Sequence, residues 1–341
     1  MENSSVLDNS NNGNSFKEEK PKRKFNKKIL IICSLITILI IAAVYFVISN
    51  KYAKMVENHI NEELSNLSQE YGDSFNYSLF KCSGFKEITC STDFIEFYDE
   101  LQKYSVKNVS FTAAPSLKDL KAVTSGSIEI SSVYAENNAE SNDIIKLDFN
   151  CSDNVTLLSE RSLLAHNAVC DSNINDIHSK QISVFYMKDD IFAKHSSMIG
   201  VLKEFKDKNI DITSMLLDDM VIESSLNVIE SPDLFESIIE ISKSFFKAYI
   251  SENITKEMAV SLYDSLRNDY NQVKNFYGND EHTSIVDNLI KALDGVIYDN
   301  NNSMSMSVIL KDKDKIDDMF GSSYINFMLP DYYDINIESS K

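Results

Sequence analysis

Four cysteines, Cys82, Cys90, Cys151 and Cys170, are the residues whose type and spacing point most directly to a chemistry, and that chemistry is disulfide formation. Their number is even, and four cysteines allow three pairings. The local pairing, Cys82 with Cys90 and Cys151 with Cys170, is the favoured one. The first pair flanks a hairpin turn at Ser83-Gly84, and the second closes a loop worth roughly 3 kcal/mol in the chain-entropy model. Neither pair is C-x-x-C and no histidine sits at ligand spacing, which argues against a zinc site and a thioredoxin-type redox motif.

Other residue types offer less. A serine hydrolase of the α/β type needs G-x-S-x-G, and neither Gly126-Ser127 nor Gly321-Ser322-Ser323 fits. The histidines, His59, His166, His178, His195 and His282, form no H-x-H or H-E-x-x-H. Asp312-Lys313-Asp314-Lys315-Ile316-Asp317-Asp318 has the look of a calcium loop. Its sixth position is Asp317 where glycine is needed, its twelfth is Ser323 where glutamate is needed, and its lysines oppose a cation. It reads as a solvated turn. Asp189-Asp190 and Asp218-Asp219 read as turn or helix-end pairs. No catalytic residue, cofactor or metal is expected, and an enzyme is not expected. The 16 Tyr and 19 Phe, with no Trp, suit core packing or an apolar groove for an acyl chain or a peptide.

The clearest element is Ile29 to Ile48, ILIICSLITILIIAAVYFVI, without a charge. As a helix it spans about 30 Å, the thickness of a bilayer core. Lys17, Lys20, Lys22, Arg23, Lys24, Lys27 and Lys28 precede it, while Lys51 and Lys54 alone follow closely. This asymmetry predicts a cytoplasmic N-terminus and an exported C-terminal part. The run is longer than a signal-peptide core, and Val47-Ile48-Ser49-Asn50 is a poor cleavage site. Cys33 lies near its beginning, out of place for a lipoprotein anchor. The exported side is oxidising, as the cysteine pairing requires.

An apolar fraction of 43% suffices for a core, and eight Gly among 341 residues argue against Gly-rich phosphate loops. The net charge is −19. Residues 1–28 hold seven bases against four acids (Glu2, Asp8, Glu18, Glu19), so the remainder holds 33 − 7 = 26 bases against 52 − 4 = 48 acids. So acidic a domain disfavours nucleic acid and adhesion of the whole domain to an anionic membrane.

Beyond the anchor, Val56, Ile60, Leu64, Leu67 and Tyr71 recur at helical spacing, predicting a stalk that packs on the domain or pairs with another copy. Alternation then takes over at Phe75–Leu79, Val106–Thr112, Gly126–Val133, Ile145–Asn150 and Ile182–Met187. Period two predicts antiparallel strands with one wet face, four to seven of them between 75 and 190. One more alternating stretch runs from Met220 to Ile229. Ser231-Pro232-Asp233 reads as a helix start with Ser231 as N-cap, followed by Leu234, Ile238, Ile241, Phe245 and Tyr249. A second helix after Thr255 carries Leu262, Leu266, Tyr270, Val273 and Tyr277, and a third Ile285, Leu289, Leu293 and Val296. Strands close the chain at Ser303–Lys311 and Tyr324–Ile337. The class is α+β. The divisions are a disordered tail (1–28), a transmembrane helix (29–48), a helical stalk (49–72) and an antiparallel β-rich extracytoplasmic domain with a helical block and closing strands (73–341).

This order resembles YdgA-like bacterial envelope proteins, and more loosely AsmA-like ones, over about residues 25–100. The resemblance rests on the anchor, the amphipathic stretch Lys54–Tyr71, and the hairpin Phe75-Asn76-Tyr77-Ser78-Leu79-Phe80-Lys81, Gly84, Glu87-Ile88-Thr89-Cys90-Ser91. It implies a non-enzymatic inner-membrane protein with a periplasmic domain. Its partners would be the bilayer through 29–48, and lipid or envelope proteins. A scaffold subunit of a membrane-spanning complex is the alternative. A eukaryotic type II protein would show the same charge asymmetry, with Asn66, Asn76, Asn108, Asn154, Asn253 and Asn301 as glycosylation candidates.

Overall fold

Alternating sequence between Phe75 and Ser340 folds into one antiparallel sheet in the computed structural model. The structure describes residues 51–84, 87–98, 102–134, 139–208, 220–246, 255–277, 281–320 and 331–341. The tail and the apolar segment 29–48 expected from the sequence lie outside the described residues. Among the described residues, no helix is long and apolar enough to cross a membrane.

Eleven strands lie within the described residues: β1 (Phe75–Tyr77), β2 (Lys81–Gly84), β3 (Ile88–Tyr98), β4 (Gln102–Pro115), β5 (Asp119–Tyr134), β6 (Ala139–Leu158), β7 (Leu163–Ile174), β8 (Ile177–Lys188), β9 (Met220–Glu230), β10 (Ser303–Leu310) and β11 (Tyr333–Ser340). From β3 onward the sheet follows chain order, so it is a meander. The β1 and β2 strands share one edge of β3, at Ile95–Phe97 and Ile88–Ser91 respectively. The closing strands lie beside β9, in the order β9–β10–β11; of the expected strand Tyr324–Ile337, residues 324–330 lie outside the described residues and the strand observed is Tyr333–Ser340. The end bearing the β2–β3 and β4–β5 turns is called the lower end.

Eight strands fall between 75 and 190, more than the four to seven expected. The alternation missed β2, β3 and β7, and one expected stretch, Val106–Thr112, holds a bulge. The ladder between β4 and β5 slips between Lys107 and Ser110, and Asn108 sits in left-handed backbone at φ 51°. Val106 and Val109 can therefore both face the core although three residues apart.

Helix α1 (Lys51–Tyr71) lies against this sheet. Ala53, Val56, Ile60 and Leu64 are its buried stripe, and the last three join a core with Phe97, Tyr104, Val106 and Phe111. The Asn61 side chain accepts from Phe80 N (2.8 Å) and donates to Phe80 O (3.1 Å), while Glu57 accepts from Cys82 N (3.1 Å). Of the two possibilities for the stalk, packing on the domain is the observed one.

Helices α2 (Asp190–Lys194) and α3 (Met198–Lys208) follow β8 at the lower end. Ile191, Phe192, Met198 and Val201 extend the same core over Leu120, Leu157, Leu164 and Met187. Between β9 and β10 come α4 (Leu234–Phe246), α5 (Lys256–Tyr277) and α6 (Glu281–Ile297). Leu234, Ile239 and Val296 pack there on Ile177, Ile229 and Met304 at the upper end. A Cβ on Gly295 of α6 would stand 2.2 Å from Ser339 Oγ, so a larger residue there would force the Ser339 and Asn301 side chains to turn away. A short helix, α7 (Ile316–Met319), closes the lower end of β9–β11.

Two details of the helical block differ from expectation. Asp233, not Ser231, caps α4: its carboxylate accepts from Glu236 N (3.3 Å), while buried Ser231 pairs with Ser237 Oγ (2.8 Å). On α5, Leu262 and Leu266 are 63% and 60% exposed. The inner face is instead carried by Ala259 and Val260, with Tyr263 and Tyr270 bonding to α6.

Candidate functional site

The four cysteines pair as the sequence favours, Cys82 with Cys90 and Cys151 with Cys170. Each pair occupies directly opposed positions of neighbouring strands. Cys90 is fully buried, with Cys82 packed against the same core. Cys151 and Cys170 are half-buried in mid-sheet. Both bridges tie elements that are already paired, so they act as staples.

The titratable groups outside them form ties as well. His166 Nε2 stands 3.2 Å from Asp153 Oδ1, its ring 4.2 Å from the Phe185 ring, and its Nδ1 is buried without a partner. A histidine so oriented by a carboxylate would suit a general base, but Nδ1 meets no hydroxyl or thiol here. Tyr186 Oη donates to Glu223 (2.6 Å), which also binds Lys313. Burial, reinforced by Glu223, pushes the Tyr186 hydroxyl up to about 12. Burial also works to raise the Glu223 carboxyl, but hydrogen bonds from Lys313 and Tyr186 outweigh it and hold the group below its ordinary range. Arg161 and Lys188 both reach Asp317 (3.1 and 3.4 Å), and Arg161 contributes most to lowering its pKa. The residues with the look of a calcium loop thus fasten the lower end. Among the described residues, no group of three or more His, Cys, Asp and Glu is placed to hold a metal ion. On α5, Tyr263 bonds Asp294 (2.9 Å), and Arg267 bonds the same carboxylate (2.9 Å). Burial first, then Asp294, raises the Tyr263 pKa.

What stands out is a surface. The partners Val123, Ser152, Val169, Ile182, Leu226 and Ser307 form one row across β5–β10. These positions alternate with those that meet α1–α6, so the row lies on the opposite, open face. Val123, Ile182 and Leu226 are 44%, 36% and 39% exposed. Val184 and Val228 broaden the row on either side of Ile182 and Leu226. From Val123 to Leu226 the row crosses four strand spacings, about 19 Å. Sequence reasoning found five of these six strands, all but β7, yet not the row, because register across a sheet is invisible to periodicity along one strand. The row's same-face surroundings are mostly Ser and Asn with charged Lys121, Asp171 and Lys180, not the Tyr/Phe lining that composition suggested.

Met258, Leu262 and Leu266 make a second exposed apolar stripe, on α5. Beside it Lys256, Glu257, Val260, Ser261 and Asp264 line a shallow open groove. No protein-family model matches the chain and no curated protein is significantly similar to it, so the likeness to YdgA-like and AsmA-like envelope proteins rests on the residues quoted above alone.

Proposed function

We propose that this chain is a non-enzymatic, single-pass envelope protein that holds one acyl chain of a lipid along the open face of its sheet. In this reading residues 29–48 anchor it in a bacterial inner membrane, the tail is cytoplasmic, and the sheet domain is periplasmic. The observation that carries the reading is the row through Val123, Val169, Ile182 and Leu226. Its length of about 19 Å is close to that of an extended acyl chain, and polar side chains flank it. The two disulfides support an oxidising compartment.

The test is native mass spectrometry of the full chain released gently from membranes. The wild type should carry additional mass of one lipid, and Ile182→Asp should lose most of it while melting within a few degrees of the wild type. A wild-type protein free of lipid would remove the reading.

The alternative, a scaffold subunit of a membrane-spanning complex, is favoured by the stripe Met258–Leu262–Leu266. Its i, i+4, i+8 spacing suits an apolar helix of another polypeptide. A photo-crosslinking residue at Leu262 should then give one discrete adduct in intact cells, with no adduct from exposed Glu62. Equal, diffuse labelling from both positions would count against the scaffold.

A further inference from the structure

The β4–β5 turn reaches at least as far down as the start of α1. Helix α1 and strand β3 run side by side with matched length. Glu57 meets Cys82, the partner of Cys90, and fourteen residues later Tyr71 packs on Phe97, seven residues beyond Cys90 (ring centroids 5.6 Å). Fourteen helical residues rise about 21 Å and seven strand residues about 23 Å. The two are therefore nearly parallel, and positions along one can be read against the other. Lys51 lies six residues before Glu57, about 9 Å lower. On β4, Phe111 partners Cys90, and Pro115 lies four residues further down, about 13 Å lower. The turn Ser116-Leu117-Lys118 extends beyond that. Its tip therefore stands below Lys51, the first described residue of α1. Only Ser49 and Asn50 separate Lys51 from Ile48.

We infer that this turn is a membrane contact, with Leu117 entering the bilayer interface and Lys118 meeting lipid phosphates. The inference rests on the anchor reading given above. Leu117 is 68% exposed although its backbone is held firmly. Its carbonyl accepts from Met198 N (2.9 Å), Ser116 N donates to Asp119 O (2.7 Å), and Leu157 N donates to Lys118 O (2.8 Å). A fixed turn that presents an apolar tip costs no ordering on contact. Lys54, Lys81, Lys118 and Lys121 are exposed toward this end of an otherwise acidic chain. A leucine flanked by lysine suits the interface, where the lysine head stays with the phosphates. The domain as a whole remains too acidic to adhere, so contact would be confined to the tip.

The chain has no tryptophan, so a single introduced one reports its own surroundings. The full chain with Leu117→Trp would be reconstituted in phosphatidylethanolamine/phosphatidylglycerol vesicles with brominated acyl chains. The comparison is Tyr298→Trp, at the far end of α6 and 45% exposed. The indole of the Leu117→Trp variant should emit to the blue of that in the Tyr298→Trp variant and be quenched several-fold more. If the protein floats with the vesicles after alkaline washing and the two variants are quenched alike, the turn does not touch lipid and the inference fails while the anchor stands. If it does not float, the anchor reading falls and takes this inference with it.

Discussion

Ile60→Asp is expected to abolish folding of the sheet domain. Ile60 is 1% exposed, between Val56 and Leu64 at 0%. All three pack on the core that also holds Phe97, Phe111 and Val109. Truncating such a side chain to alanine costs about 2–5 kcal/mol. An unpaired carboxylate adds a further desolvation cost of several kcal/mol, against a net stability for ordinary domains of about 5–15 kcal/mol. The measurement is a thermal melt by circular dichroism beside Glu62→Ala, an exposed position on the same helix. Loss of the transition for Ile60→Asp, with Glu62→Ala unchanged, would show that α1 is a wall of the domain. A normal melt for Ile60→Asp would mean that α1 detaches and the sheet stands alone. In the proposed reading, in which residues 29–48 are an anchor, a wall so close to them fixes the sheet relative to the membrane. A free stalk would let the domain swing, and the β4–β5 turn could then hold no constant depth.

Much of this was legible in the sequence where a single element carries its own period. The stripe of α1, the α6 stripe through Val296, and the alternation of β5, β8 and β9 could each be read along one stretch of chain. What could not be read depends on neighbours. On α5, Leu262 and Leu266 look like core by spacing, yet α6 meets the adjacent stripe, where Tyr263 and Tyr270 find partners for their hydroxyls. At the start of α4 both Ser231 and Asp233 can cap, and burial of Ser231 against Ser237 decides between them. The open-face row needs the register of six strands at once, each fixed by its own turn. The bulge at Asn108 breaks the alternation that would have marked β4 as a long strand. The candidate site was therefore the least legible part, while the cysteine pairs could be read because their spacing matched a hairpin and a short loop.

Those pairs set the second large expectation. Replacing Cys151 and Cys170 together by alanine, or Cys82 and Cys90 together, should each lower stability by about 2–4 kcal/mol, through the conformational freedom returned to the unfolded chain. For a domain of this size that is a fall of roughly 3–7 °C in melting temperature. The two bridges should also differ in their response to a thiol reductant. Cys90 is buried at 0% within the main core and the Cys82 amide is held by Glu57, so a reductant reaches that bridge only after the lower end of α1 lifts away. Cys151 and Cys170 are half-exposed in mid-sheet, and attack there needs less opening. With rising reductant, Cys151–Cys170 should therefore open first, seen as alkylation of its two peptides before those of Cys82–Cys90 change. Simultaneous opening would mean that both bridges wait on global unfolding, and the reverse order would mean that α1 is loosely held. Because the same α1 contacts guard Cys82–Cys90 and hold the β4–β5 turn level with the start of α1, the reverse order would also count against the proposed lipid contact at Leu117.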